Sequence, residues 1–408
     1  MIELNNHAWS YINALVFLSC LLFAISIFNI IIDTYNISKV VRISRFNAAK
    51  VRQWQNARLT KPFDFSRHKY DGIILGTSQI ERGIDPDHKK ISKFGKLSYN
   101  FGLSESTLYE SAQVFYYAAT TSSIKWAIFS LDFARYIQPT ILSIRDVPNK
   151  YNKSSLICEY LKTLISVKGT SDSLFTFKSN LKGEVALQHS LTGLLDIDGF
   201  NAKVGRPHPG GVFDNVDSAY INHAYTRMIS EVKLLSQFGF NHDVLLNITK
   251  IATKHQIQLY FLIPPLHARG MIIIEQLGLM PLFDQWKREI VHVIETKISN
   301  TEYTYPLWDF SSYTEITTET IPNNDDEPTN LKWFYDTIHF TPIVGQMMLD
   351  RIFDSMSSEA FLPEDFGIRL SSDNLSSHLN KIHAGQKKYI NKNPEVFEIL
   401  NRLYSDLR

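Results

Sequence analysis

The most apolar stretch of the chain comes first. From Ile12 to Ile32 the run INALVFLSCLLFAISIFNIII contains no charged residue. At about 1.5 Å rise per residue it reaches roughly 30 Å, the thickness of the hydrocarbon layer. It reads as one transmembrane helix. The preceding MIELNNHAWSY lacks Lys and Arg, and the following IIDTYNIS offers no small-x-small cleavage site, so a retained anchor is expected rather than a cleaved signal peptide. Around Cys20, Phe17 and Leu18 fit a lipid-attachment motif poorly and the apolar run continues past the cysteine, which leaves a lipid-facing thiol. A buried core helix is the competing use of such a segment, although Asn13, Asn29 and the serines are tolerated in a membrane.

Beyond the anchor the pattern changes to short apolar runs separated by helix-length segments. YDGIILGTS (70–78), IKWAIFSLD (124–132), IQLYFLIPP (257–265) and YPLWDF (305–310) each read as a buried strand. Helices are expected over 104–119, with Ser104 as its cap, and over 219–238, 243–255 and 281–299. A last core helix begins at Thr341-Pro342 and runs through VGQMMLDRIF. This alternation predicts an α/β fold with a parallel sheet. The boundaries that follow are a flank at 1–11, the anchor at 12–32, a basic juxtamembrane linker at 33–69, helical over Ser38 to Thr60, an α/β domain at 70–360 and a peripheral helical tail at 361–408. Between about 137 and 217 the alternation breaks down into a mixed stretch ending near GRPHPGG, too long for an ordinary loop, and an inserted lid or subdomain is expected there.

Composition narrows the possible functions. The 408 residues, 44% of them hydrophobic, can build a sizeable core. Forty-two Lys and Arg against 41 Asp and Glu give a net charge of +1, so no long-range field selects nucleic acid. Two cysteines, one of them inside the anchor, cannot build a disulfide framework or a thiolate metal site. No metal and no cofactor is expected. The 26 Phe, 19 Tyr and 6 Trp are core residues first.

Three local motifs bear on chemistry. In LGTSQIERG, Ser78 sits where a buried strand turns into a helix, which presents its hydroxyl at the sheet edge beside its own N–H. A structural N-cap is the common use of such a serine. In WFYDTIHFTP, Asp336 and His339 stand three residues apart, a spacing that lets the carboxylate fix the imidazole tautomer; an ordinary surface turn would show the same pair. In KLSYNFGLSEST, Gly102 follows Asn100 at a strand-to-helix turn, where its amide is either a second oxyanion donor or a plain turn glycine. His267 and Arg269, in IPPLHARG, lie beyond a strand's carboxyl end and either line the same crevice or cap a helix. Arg82 and Arg135 could hold an anionic substrate, though solvation or pairing with a carboxylate is the commoner use of such arginines.

The order of these motifs, strand-GTS, then N-F-G, then strand-L-D at Asp132, then D-x-x-H, resembles the SGNH, or GDSL-like, hydrolase superfamily over residues 70 to 355. The resemblance implies a flavodoxin-like three-layer sandwich, with Ser78 as nucleophile, Gly102 and the Ser78 amide as oxyanion donors, and Asp336 and His339 as the base pair. Asn100, Asp132 and His267 become possible substrate-binding residues. Two blocks depart from the pattern: GTS replaces GDS, and Asp132 stands where the family has an oxyanion asparagine, which an aspartate can imitate only when protonated.

RGIDP, IPPLHARG, FDQWKREI and PLWDFSSYTEITTE resemble segments of other bacterial proteins of the membrane-anchored branch and bear on homology, not substrate. The anchor itself is similar to that branch, which includes alginate O-acetylation and teichoic-acid D-alanylation proteins. That likeness implies a serine O-acyltransferase or esterase acting on envelope polysaccharide. It also implies a membrane-bound acyl-donor partner and a domain outside the cytoplasmic membrane. A catalytically silent scaffold or polysaccharide-binding protein of the same fold is the alternative. Lys39, Arg42, Arg45, Lys50 and Arg52 would place the domain in the cytoplasm by the positive-inside rule. The exported location is expected instead, with the basic stretch lying on anionic lipid as an interfacial helix.

Overall fold

The computed structural model describes residues 2–87, 91, 95, 97–136, 151–225, 242–298, 304–322, 331–353 and 362–405, the side chains of 2–8 and 223–225 excepted. In chain order the elements are α1 (Ile2–Ile32), α2 (Ala57–Phe65), β1 (Gly72–Leu75), α3 (Ser78–Gly83), β2 (Ser98–Asn100), α4 (Leu108–Thr121), β3 (Trp126–Ser130) and α5 (Phe133–Tyr136). There follow α6 (Lys153–Ile165), α7 (Val167–Lys182), α8 (Ile197–Val204), α9 (Pro209–Ala219), α10 (Asp243–His255), β4 (Gln258–Ile263), α11 (Ala268–Gln276) and α12 (Met280–Val293). β5 (Leu307–Asp309), α13 (Pro342–Ile352), β6 (Ile368–Leu370), α14 (Ser372–Lys392) and α15 (Pro394–Ser405) complete the chain. Two compact units result: 1–67 with 150–190 and 195–205, and 68–149 with 191–194 and 206–408.

The first unit is helical. Within α1, Trp9–Ile32 has a mean hydropathy of 2.8 and is long and apolar enough to cross a membrane, with most of its side chains exposed. Its final turns pack on the α6–α7 hairpin. Asn29, inside the apolar run, donates from Nδ2 to the Leu164 carbonyl at 2.8 Å and to Thr170 Oγ1 at 3.1 Å. The stretch 38–60 is not the continuous helix expected from its sequence: it is mostly turns, with a short 3₁₀ segment at Trp54–Asn56 and α2 starting only at Ala57. Its cations are spent largely on protein partners. Lys50, fully buried, donates to the Ile32 carbonyl at 2.8 Å, Lys39 pairs with Asp64 at 2.7 Å, and Arg52 lies 3.5 Å from Asp172 and over the Phe175 ring. The 137–217 segment, expected as one insertion in the α/β domain, is divided: α6 to α8 belong to the first unit and α9 to the second, while 137–150 lie outside the described residues.

The second unit is α/β. Its six-stranded sheet has the order β2-β1-β3-β4-β5-β6, parallel except for the antiparallel β5–β6 pair. The expected runs form β1, β3, β4 and β5, each mostly apolar and largely buried, as suits a strand covered on both faces. The register sets Ile74 beside Ile128 and Ile128 beside Tyr260, and Phe261 beside Leu307. Ile74, Ile128, Leu262, Phe310, Phe340, Val344 and Met348 belong to one core cluster.

Three details differ from expectation. α4 starts at Leu108, capped by Thr107, whose Oγ1 accepts from the Glu110 amide at 3.2 Å; Ser104 instead donates to Glu81 Oε2 at 2.7 Å. Of the helix expected over 219–238, Tyr220–Tyr225 forms a π-helical turn and 226–238 lie outside the described residues. The C-terminal segment is not peripheral, since it supplies the edge strand β6 and, through α14, buries Leu375, His378, Leu379 and Ile382.

Candidate active site

Ser78 is the first residue of α3, directly after the β1 turn, with Thr77 as N-cap. It is half-buried, and its amide lies in the first helical turn, where backbone N–H groups have no acceptor within the helix. His339 lies 261 residues downstream, with Asp336 three residues before it, at the tip of a narrow loop closed below them by a bridge between Phe334 and Phe340. Across that loop the Tyr335 amide donates to the His339 carbonyl at 2.8 Å, and the Thr341 amide to the Trp333 carbonyl at 2.9 Å. The approach to the loop is held by Glu319, whose carboxylate accepts from the amides of Lys332, Trp333 and Phe334 at 2.6 to 3.2 Å.

These elements bring three side chains into line. His339 Nε2 lies 2.8 Å from Ser78 Oγ, and His339 Nδ1 lies 2.7 Å from Asp336 Oδ2. Asp336 Oδ1 also accepts from the amides of Ile338 and His339 at 2.8 and 2.9 Å, which fixes the carboxylate before any substrate arrives. The two helices that carry the line touch without side chains between them. A Cβ added at Gly345, in α13, would come within 1.9 Å of the Gly83 carbonyl oxygen at the end of α3. Gln79 adds a tie from α3 to the loop, donating to the Ile338 carbonyl at 2.9 Å and the Pro265 carbonyl at 3.2 Å.

Burial and nearby charge disfavour the protonated imidazole. Burial, and next the charge of Arg82, lower the His339 pKa, while Asp336 pulls it back upward. Burial acts to raise the Asp336 pKa, but the charge and hydrogen bonds of His339 and the two loop amides outweigh it and leave the carboxyl below its ordinary range. Arg82 Nη1 stands 3.2 Å from His339 Nδ1. Because that nitrogen's proton is committed to Asp336, the guanidinium acts there as a neighbouring positive charge. A neutral His339 protonated on Nδ1 can accept the Ser78 proton on Nε2, which is the arrangement of an activated serine.

The other residues singled out by the sequence fall elsewhere. The Gly102 amide donates to Asn100 Oδ1 at 2.8 Å, so it is engaged inside the protein rather than turned toward a substrate oxygen. A Cβ at Gly102 would meet the Glu81 amide nitrogen at 2.4 Å, so glycine lets this turn lie directly against α3. Asn100 is fully buried and donates from Nδ2 to the carbonyls of Ile80 and Ile84 at 2.6 and 2.7 Å, which holds α3.

Asp132 follows β3, accepting from the Arg135 amide at 3.3 Å and from Thr77 Oγ1 at 3.4 Å. Burial raises its pKa against the pull of Arg135. Together with Gln79, Pro264 and Ser311 it lines a narrow crevice at the carboxyl ends of the strands.

His267 is fully buried between Phe213 and Phe334, caps α11, and makes a 2.8 Å hydrogen bond to the Glu319 carbonyl; burial lowers its pKa to about 4. It is a neutral structural residue. Arg135 lies 4.0 Å from Glu105.

Sequence reasoning missed the support behind the loop. Arg269 donates at 2.6 Å to each of Asp217 and Asp214 on α9, and Asp217 also accepts from Thr337, the residue after Asp336. The carboxyl of Asp217 is raised by burial to about 6 in spite of Arg269. Its only trace in the sequence is D-x-x-D, a spacing that puts two carboxylates on one face of a helix. Among the described residues no cluster of three His, Cys, Asp or Glu could hold a metal ion. Comparison with known proteins finds neither a family model nor a curated protein that matches this chain.

Proposed function

We propose that the chain is a membrane-anchored serine acyl-transfer enzyme of the SGNH, or GDSL-like, superfamily, moving O-acyl groups on a cell-envelope polysaccharide or glycoconjugate. The observation that supports this best is the unbroken line from Ser78 Oγ through His339 to Asp336 at the carboxyl edge of a parallel sheet. The strand order β2-β1-β3-β4-β5 supports the flavodoxin-like sandwich that the superfamily implies.

In the reaction, Ser78 Oγ attacks the acyl carbonyl carbon as His339 Nε2 takes its proton, and Asp336 balances the imidazolium. The Ser78 amide, in the first turn of α3, donates to the carbonyl oxygen as it becomes an oxyanion. The tetrahedral adduct then collapses, the leaving oxygen takes the proton from His339, and an acyl-serine remains. A polymer hydroxyl or water, deprotonated by His339, attacks that ester and releases Ser78. A polymer acceptor makes the enzyme an O-acyltransferase; water makes it an esterase. The apolar helix favours the transferase, with an acyl donor delivered by a membrane-bound partner and the α/β unit outside the cytoplasmic membrane.

A silent scaffold or polysaccharide-binding protein is the second reading. The specific observation in its favour is the Gly102 amide, which the Asn100 side chain already occupies. A fluorophosphonate probe separates the two: an enzyme is labelled at Ser78 and Ser78→Ala is not, whereas an unlabelled wild-type chain leaves the scaffold. Alkaline phosphatase fused after residue 67 tests the side of the membrane, being active only when exported.

A further inference from the structure

Exposed apolar side chains of the first unit include a group around the C-terminal end of α1, besides others such as Leu174, Leu181 and Val204. Helix α6 is apolar on two neighbouring stripes. Leu156 and Leu164 face inward and are buried, whereas Ile157, Leu161 and Ile165, at i, i+4 and i+8, form an exposed stripe leading to the tip of the hairpin. At the tip Ile165 is 56% exposed and Val167 88%. The tip has a fixed height along α1, because Asn29 binds the Leu164 carbonyl and Thr170, on either side of it. Farther along α7, Asp172 and Thr176 meet Thr34, past the end of α1, and Asn180 meets Ala49. The hairpin therefore points its tip back along the apolar helix, and Ile165 and Val167 stand beside a residue within the apolar run.

A second element reaches the same height. Asn47 donates from Nδ2 to both the Ile31 and Val41 carbonyls, which fastens the 41–45 loop beside the last turn of α1. Val41, 80% exposed, and Ile43 project from this loop, interleaved with exposed Arg42 and Arg45. Alternating apolar and cationic side chains are costly facing bulk water alone but match the boundary of an anionic bilayer, where acyl chains take the first and lipid phosphates the second.

We infer that the α6–α7 tip and the 41–45 loop form a collar around the end of α1 that is seated in the headgroup layer of an anionic bilayer. The occupant is lipid because the exposed apolar surface is continuous with that of α1. The inference rests on α1 spanning the membrane and is independent of the serine chemistry. In such a seat the buried Asn29 Nδ2 group finds its acceptors on the hairpin, as a donor within an apolar span requires.

The test uses the full chain with Cys20→Ser and Cys158→Ser, reconstituted in liposomes of phosphatidylethanolamine and phosphatidylglycerol. An environment-sensitive fluorophore is attached at Val167→Cys, Val41→Cys or Lys182→Cys. Lys182, at the far end of α7, lies about 22 Å from Val167 at ~1.5 Å per residue. The collar predicts blue-shifted emission and several-fold stronger quenching by doxyl-labelled lipid at 167 and 41 than at 182. Equal, water-like emission at all three positions in a chain that floats with the liposomes overturns the collar while leaving the span intact. Failure of the chain to float overturns both.

Discussion

At the end of β1, Ser78, His339 and Asp336 form a line; at the end of β5, Ser311, His378 and Asp309 come together in the same three residue types. In the second cluster most hydrogen bonds converge on Asp309, although Lys287 Nζ also donates to Ser311 Oγ at 2.9 Å. Lys287 donates to it at 2.6 Å, His378 bonds to it at 2.9 Å, and Ser311 donates from its hydroxyl at 2.7 Å and from its amide at 2.9 Å. Burial acts to raise the Asp309 carboxyl, but Lys287 and His378 overcome it, and burial lowers the Lys287 pKa in turn. The Ser311 hydroxyl is engaged as a donor to the carboxylate, and among the described residues no histidine nitrogen is hydrogen-bonded to that hydroxyl. In the first cluster the histidine stands between the other two, and the serine it faces is half-buried rather than sealed. Residue types do not separate a reactive serine from a structural one; the order of the hydrogen bonds and the access of the last oxygen do.

That contrast can be broken from either side. The largest effect is expected for Ser78→Ala, which removes the nucleophile and lowers acyl-ester turnover by as much as about 10⁶-fold, the scale of a lost triad serine. Ser311→Ala leaves fluorophosphonate labelling intact. Labelling that survives Ser78→Ala, or vanishes in Ser311→Ala with the chain still folded, would reverse the assignment. Next comes Asp336→Asn, where the wrong imidazole tautomer is held toward Ser78 and the rate falls on the order of 10⁴-fold with little change in melting temperature.

Lys287→Met should act on stability instead. It leaves the buried Asp309 without its cation and costs about 3–5 kcal/mol, read in urea unfolding, while probe reactivity persists below the transition. A Lys287→Met chain as stable as wild type would mean that the β5 cluster is not a structural ion pair.

The smallest expected change concerns pH. The base is active only as neutral imidazole, and Arg82 disfavours the imidazolium, so labelling should persist to pH values below the ordinary histidine pKa of about 6.5. Arg82→Ala withdraws that repulsion, raises the His339 pKa and moves the acid limb to higher pH. A limb that stays in place, or moves down, rules out the charge effect.

Strands β1, β3, β4 and β5 and helices α10, α12 and α13 were legible because their apolar spacing is local, and the D-x-x-H pair because its two members are close in sequence. What escaped reading depends on distant partners. Strand β6 is the three residues IRL, too short to show a period, and exists only by pairing with β5. Asp214 and Asp217 look like solvated helix positions until Arg269, more than fifty residues on, reaches them. Gly102 and Asn100 read as oxyanion and substrate groups because a small residue beside a strand end fits either use. Only the packing of α3 against that turn shows that both are committed to each other. The cations after α1 looked like a uniform basic stretch, yet Lys50 turns inward to a helix end while Arg42 and Arg45 stay exposed.

Under the proposed chemistry, the separation of 261 positions between Ser78 and His339 also sets when the serine can become reactive. During synthesis the serine is made early and its base late, after β4, β5 and the Glu319 clamp. Until the loop after residue 334 closes, Ser78 is an ordinary alcohol with no partner to take its proton. A chain that stops short of α13 carries the nucleophile but cannot acylate itself from a passing donor. Labelling at Ser78 thus reports that the last third of the sheet has assembled.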